Sequence, residues 1–373
     1  MVMKILQNLR LNKKLLRELD YSVIIFAIII VIYGCLNIYS ATNSSSGMYF
    51  PRKQIISMIL GLIAVYLLLV FDYMLIENYA VIIYWAGIIL LIISDIFGAT
   101  TNGATSWLKF GSLGLQPSEF AKIGMIIMLA KRIDEMEGEI NDSRNLLELL
   151  FYAAVPMILI VIQPDMGMTM VSFFIVLGIL FCMGLNYKII LGGMTTVLVL
   201  VVGVWNSSIM QNYWKGRLTS FLHPEENKLG AGLQLAQSKL SIGSGGIFGR
   251  GFGHGTQFNS VPENQTDFIF AVLGEEWGLI GALVLLLLYG LLIYRLIKIA
   301  KESKDIFGTV LCVGFVSNLL FSIMQNIGMT MGLMPITGIT LPFMSYGGSS
   351  LLTSFMALGL VLNVGMRRKK INF

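Results

Sequence analysis

Among the residues that could do chemistry, Asp267 stands first. It closes a polar, glycine-dense stretch, SIGSGGIFGRGFGHGTQFNSVPENQTDFIFAVLGEEWG (241–278), and sits at the mouth of a long apolar segment. An ionised carboxylate costs about 2.5–3.5 kcal/mol at the centre of a membrane helix and less near its ends, so an acid here calls for a reason. Two reasons compete. In one, Thr266 caps the helix and Asp267 complements the positive end of its dipole. In the other, the carboxylate follows Glu263, Asn264, Gln265 and a basic glycine-rich loop, faces the outer aqueous side, and acts as a general base.

Glu119 and Lys122 stand three residues apart, on one face of a helix that Pro117 and Ser118 suit as a start. Both fall in an apolar segment where an unpaired charge is expensive. Either they neutralise each other as a structural pair, or Lys122 holds the carboxylate of Asp267 ionised and oriented. Lys215, Arg217, Lys239 and Arg250 are ordinary solvated loop charges taken singly. Together they offer cations to a phosphorylated ligand.

Other features argue for less. The glycine run 243–255 fits neither GxxxxGKS nor GxGxxG, so its glycines allow tight turns and close backbone approach to a ligand rather than nucleotide binding. Asp165, in QPDMG, reads as a turn acid. Glu275 and Glu276 lie about two turns inside the helix that Asp267 opens, and Glu276 points to nearly the opposite side from Asp267. Trp107 suits a membrane interface. The SYGGSS run at 345–350 suits close packing at the start of the last helix. Two histidines, His223 and His254, cannot build a zinc cluster. Cys35, Cys182 and Cys312 all fall in apolar segments and suggest neither disulfide nor metal.

A membrane bundle must position these residues. The 373-residue chain is 56% hydrophobic and only 13% charged, against about 25% charge in soluble domains. Helical spans need about 20 apolar residues. The pattern predicts an all-α polytopic membrane protein of about ten spans, at 21–41, 54–70, 78–96, 117–131, 148–163, 167–185, 189–205, 267–294, 306–325 and 348–366. The chain reads as one domain, 1–373, with a basic segment at 1–20 as an uncleaved anchor, a large extracytoplasmic loop at 206–266 between the seventh and eighth spans, and a tail at 367–373. That loop holds ten glycines and amphipathic patches, which predict a folded or re-entrant cap. With both termini in the cytoplasm, that side carries 17 of the 26 Lys and Arg, as the positive-inside rule requires. These charges sit in short juxtamembrane clusters, so nucleic acid is a poor partner for the net charge of +5. The acidic segment 132–148 reads as a solvated connector.

Six blocks, in order, resemble one family across essentially the whole chain. They are GATSWLKFGSLGLQPSEFAK (103–122), QPDMG (163–167), RLTSFLHPE (217–225), GAGLQLAQSKLSIGSGGIFGRG (230–251), PENQTDFIFAVLGEEWGLIG (262–281) and MGLMPITGITLPFMSYGGSS (331–350). The family is the SEDS proteins (shape, elongation, division and sporulation), which polymerise peptidoglycan glycan strands. GTQFNSVPENQTDFIF is more similar to the elongation branch, RodA, than to the division branch, FtsW. Carried over by position, the family's essential aspartate falls on Asp267, its QPSExxK pair on Glu119 and Lys122, and its tryptophan on Trp107. Some members carry an arginine where this chain has Ser106, so that role does not transfer. Thr340 stands where the family usually has proline, and tolerance is expected.

The resemblance implies an inverting glycosyltransferase acting on lipid II, the undecaprenyl-diphosphate-linked disaccharide-peptide, at the outer face of a bacterial cytoplasmic membrane. An already activated donor needs neither nucleotide nor redox cofactor. Asp267 would deprotonate the acceptor hydroxyl, and the departing diphosphate would need loop Arg and Lys or a divalent cation, Mg or Mn. A class B penicillin-binding protein, the crosslinking transpeptidase, and the elongation machinery are the implied partners. The rival reading is a flippase for lipid-linked precursors, which would use the same membrane acids as a polar path. The absence of a convincing internal repeat weighs against a transporter of duplicated halves.

Overall fold

The computed structural model describes residues 13–368 apart from 102–103, 111–112, 206–215, 218, 220 and 222–229. Long apolar runs become helices because only an internally bonded backbone survives in lipid. In chain order these are α1 (Tyr21–Thr42), α2 (Tyr49–Val70), α3 (Ala80–Phe97), α4 (Pro117–Glu135), α5 (Ser143–Ile162), α6 (Met166–Cys182) and α7 (Tyr187–Trp205). Then follow α8 (Ala231–Gly245), α9 (Ile269–Lys301), α10 (Ile306–Met331) and α11 (Gly348–Met366). All but α8 correspond to the ten expected spans.

Seven of them, α1, α2, α3, α5, α9, α10 and α11, are long and apolar enough to cross a membrane, while α6 and the described part of α7 are shorter apolar helices. Helix α4 is not among them, because it carries Glu119 and Lys122 near one end and Lys131 and Arg132 near the other. It can afford them because it lies inside the bundle, with 14 of its 19 residues buried. Close approach makes this possible: a Cβ on Gly87 of α3 would stand 3.0 Å from the Ala121 Cα of α4. The buried core runs continuously from Leu19 to Met366. Isoleucine and leucine side chains of α1, α2 and α3 remain exposed on the outside, as a lipid-facing surface requires.

Helix ends follow ordinary capping chemistry. Asp20, Asp165 and Asp305 accept backbone N–H bonds from Ser22, Met168 and Gly308 at the starts of α1, α6 and α10. Pro117 occupies the first turn of α4, as expected. One end of the bundle gathers basic residues onto acids from distant loops. Arg295 pairs with Asp20 at 3.6 Å and Arg367 with Asp72 at 3.1 Å, and Arg368 pairs with Glu302.

Two regions depart from a purely helical picture. The connection after α3 forms a three-stranded antiparallel meander, β1 (Ala99–Thr101), β2 (Ala104–Phe110) and β3 (Leu113–Leu115). Its strands are short and glycine-interrupted, which is why no periodicity announced them. The Ser349 hydroxyl at the start of α11 donates to the Gly114 carbonyl at 2.8 Å and pins the meander to the bundle. In the 206–266 loop, the described portion is folded: α8 leads through a tight glycine loop to a 3-10 turn, Gln257–Ser260, and then to the turns before α9. Lys215 lies outside the described residues.

Candidate active site

Asp267 lies in the turns that precede α9, outside the span itself. Thr266 does not cap that helix. Its hydroxyl donates to the Glu263 carboxylate at 2.9 Å, and the N-cap position belongs to Phe268, whose side chain makes no cap. With the capping account gone, the acid needs another explanation.

Its backbone is held from below. Asn326, buried in α10, donates its side-chain N–H bonds to the Asp267 carbonyl at 2.8 Å and the Ile339 carbonyl at 2.7 Å. The Ser345 hydroxyl donates to the Thr266 carbonyl at 2.6 Å, and the Tyr346 N–H donates to the Gln265 carbonyl at 3.0 Å. The segment 335–347 is therefore a strap across the end of the bundle opposite Arg295 and Asp20, laced to the turns that carry Asp267. Gln325 holds the near side of the strap through the Pro335 carbonyl, at 2.8 Å, and Gln54 the far side through the Ser345 carbonyl, at 2.9 Å.

The charged groups gather at Gly338 of this strap, whose φ of +77° favours glycine. A Cβ placed there would stand 3.3 Å from Asp267 Oδ2 and 3.9 Å from Arg217 Nη1. Arg217 is thus the cation that the structure brings to the candidate base. Asp165 completes the group, with its carboxylate accepting from the Met168 N–H at 3.0 Å and the Gln116 side chain at 3.2 Å. Burial raises the Asp165 carboxyl above the ordinary aspartate range; the bonds from Met168 and Gln116 oppose this, Glu119 adds to it and Arg217 opposes it. For Asp267, burial is again the largest cause. Glu263 adds to it, Arg217 opposes and Asp165 adds, and together they push the carboxyl up to about 7. A carboxylate poised there accepts a proton readily near neutral pH.

The other expected site residues are placed elsewhere. Lys122 is not paired with Asp267: it meets Glu119 at 2.8 Å, both buried, and the Thr353 hydroxyl donates to the same carboxylate at 2.9 Å. The i,i+3 spacing makes that closure easier than a reach across the bundle. Trp107 stacks in the meander over Gly114, whose added Cβ would lie 3.1 Å from the indole ring. Lys239 of α8 lies against Gly332, the left-handed residue ending α10, where an ammonium suits the negative helix end. Arg250 pairs with Glu275 at 3.7 Å.

The glycine run 243–255 makes the tight turns expected of it, and its close backbone approach is to α9. Helix α9 is broken at Gly278, where φ is +63°. The loop after α8 splices into the break. Arg250 and Gly251 donate N–H bonds to the Glu275 and Glu276 carbonyls at 2.9 and 3.0 Å, and Leu279 and Ile280 donate to the Gly246 and Ile247 carbonyls at 3.0 and 3.1 Å. A Cβ at Gly249 or Gly278 would fall 2.1 Å from the Glu276 carbonyl oxygen or 2.4 Å from the Gly249 nitrogen. Both Glu275 and Glu276 are buried here. Glu275 accepts backbone N–H bonds from Thr256, Gln257 and Phe258 at 2.7, 2.9 and 2.8 Å, and Glu276 accepts one from Gly253 at 3.0 Å.

Sequence reading passed over Asn326, Gly338 and the strap. The adjacent amides Gln325 and Asn326 inside an apolar run are the one available signal for Asn326. The strap's Gly338, Pro335 and Pro342 stand in view in the 331–350 block, where only SYGGSS at 345–350 suggests a structural task, close packing. Among the described residues, no three of His, Cys, Asp and Glu are arranged to hold a metal ion.

The chain is similar to known proteins over nearly its whole length. Residues 19–370 match the FtsW/RodA/SpoVE family, described as cell cycle proteins. Peptidoglycan glycosyltransferase MrdB of Escherichia coli K12 is 36% identical over 95% of both chains. Stage V sporulation protein E of Bacillus subtilis is 36% identical over 92% of this chain and 96% of its own. Among solved structures, a chain from a study of how a peptidoglycan synthase complex coordinates polymerization and crosslinking superposes with a TM-score of 0.82, at 31% identity, covering 94% of this chain and 98% of that one. The rod shape determining protein RodA of Thermus thermophilus follows at 0.72 and 30% identity, covering 94% and 98%.

Proposed function

Because this chain belongs to the FtsW/RodA/SpoVE family, we propose that Asp267 is the general base of its reaction and Arg217 the cation beside it. The protein is a multi-pass membrane peptidoglycan glycosyltransferase of cell-wall elongation, close to RodA and MrdB. Its substrate is lipid II. Asp267 takes the proton from the 4-hydroxyl of the acceptor N-acetylglucosamine as that oxygen attacks the anomeric carbon of the donor N-acetylmuramic acid. The new β-1,4 bond forms on the face opposite the α-linked diphosphate, which leaves with the bonding electron pair. Arg217 balances the charge that accumulates there.

The observation that carries this reading is the poise of Asp267: a carboxyl pushed up to about 7, at the outer end of the bundle, beside one guanidinium. The described residues do not supply a three-ligand metal site, and no step here runs through a metal. Glu119, Lys122 and Thr353 keep the start of α4 in place beneath the site. Both termini lie in the cytoplasm, a placement supported by the basic end of the bundle that gathers Asp20, Asp72, Arg295 and Arg367. A class B penicillin-binding protein is the partner that crosslinks the product.

The test is purified protein in detergent with lipid II. Glycan polymer from the wild type and none from Asp267→Asn supports the reading. A flippase would make no polymer without a bilayer, so its absence from an intact wild-type sample overturns it.

A further inference from the structure

A cavity lies between the turn after α1 and the turns before Asp267, apart from the charged cluster. It is an open cleft of about 430 Å³, inside the range of roughly 300–1,000 Å³ usual for small-molecule sites. One wall is the turn after α1, with Ser44, Ser45 and Ser46; the facing wall is Asn259, Asn264 and Gln265. Phe50, at the start of α2, supplies a half-buried aromatic ring, fixed edge-on against Tyr346 at a centroid distance of 4.8 Å.

Two properties define what it can hold. No charged residue lines it, so neither a diphosphate nor a free carboxylate finds a counter-ion there. Most of its polar groups are also uncommitted, Thr42 and Ser45 excepted, whose hydroxyls donate to the Ile38 and Thr42 carbonyls. The side chains of Ser44, Ser46, Asn259 and Gln265 bond to no other described residue, and Asn264 spends only its N–H, on the Phe258 carbonyl at 3.0 Å. Hydroxyls and amides that both donate and accept, set beside one aromatic ring, match a ligand rich in hydroxyl and acetamido groups with an apolar ring face. The walls are rigid where it matters, since the Gln265 backbone is tied to the strap through Tyr346.

We infer that this cavity is a saccharide subsite, which holds a neutral N-acetylated sugar of the glycan strand away from the reacting ring. Gln265 lines it two residues before Asp267, so a strand seated there is anchored to the same turns that carry the base. The choice of ligand rests on the glycosyltransferase reading; the binding itself does not require turnover.

The experiment uses the full chain in detergent, carrying Asp267→Asn so that no turnover intervenes, and the neutral β-1,4-linked tetramer of N-acetylglucosamine as probe. Calorimetry or saturation-transfer NMR reads the binding. Ser44→Trp, which fills the cavity, and Phe50→Ala, which removes its ring, are each expected to weaken binding at least tenfold while the melting temperature stays within a few degrees. Should Ser44→Trp misfold, Asn259→Ala gives the same readout from the opposite wall. Tetramer binding that survives these changes, no binding of the tetramer, or its displacement by a stem pentapeptide each overturns the subsite. Wild-type protein that polymerises lipid II but ignores the tetramer loses the subsite and keeps its function. Tetramer binding without polymerisation does the reverse.

Discussion

Asn326 bonds through one side-chain nitrogen to the carbonyls of both Asp267 and Ile339, at 2.8 and 2.7 Å. A residue buried in α10 thus sets the position of the candidate base relative to the strap that carries Gly338. Replacing Asn326 with Leu removes both bonds and leaves two acceptors unpaired, at about 1–3 kcal/mol. The expected outcome is polymerisation slowed at least tenfold, with lipid II binding retained. Single-turnover assays check this; an unchanged rate shows that the amide has no part in positioning.

Asp267→Asn is expected to abolish polymerisation and leave the fold intact. Stability should hold or rise. The native carboxyl titrates at about 7, above its unfolded value of 3.8, so the folded state loses stability as pH rises between them and bears the full penalty above 7. Residual solvent access to this partly buried side chain reduces that penalty to the order of 1 kcal/mol. A variant that melts no lower than wild type at pH 8 agrees; one that melts well below it assigns Asp267 a structural role.

The rate should climb with pH through a midpoint near 7, because the base must be ionised to accept a proton. Arg217 holds that carboxyl down, so Arg217→Gln moves the midpoint upward and depresses activity more at pH 7 than at pH 8.5. A uniform loss across the range would leave Arg217 its part at the departing diphosphate and no hold on the Asp267 carboxyl.

Much of this architecture is legible in the chain. The spans are, since a run of about 20 apolar residues has few other uses, and Asp267 is, since a lone acid at a span mouth is expensive. Arg217 could not be told from Lys239 or Arg250 because all three are loop cations of similar surroundings. Their partners, Gly338, Gly332 and Glu275, are fixed by tertiary contacts. The break at Gly278 was hidden because EEWGLIG reads as continuous helix, and membrane helices tolerate glycine.

Lys122→Ala should destabilise by about 3–5 kcal/mol, because it leaves Glu119 buried without its 2.8 Å partner. Pairing it with Glu119→Gln should recover most of that loss. Thermal unfolding in detergent distinguishes this from a direct role in the reaction, where the double variant would fold well yet stay inactive.

Gly278→Ala should lower the melting temperature sharply. Its left-handed backbone is strained for any side chain, by about 1–3 kcal/mol, and the new methyl meets the Gly249 nitrogen at 2.4 Å. Wild-type melting would mean that the spliced loop can withdraw without loss.

The interruption at Gly278 divides responsibility along α9. The stub 269–277 is tied to the glycine loop after α8 through Glu275 and Glu276, while the shaft 279–301 packs one side on the bundle through Leu285, Tyr289, Leu292 and Leu296. The two halves of α9 therefore answer to different neighbours, and the turns that carry Asp267 belong with the shorter one.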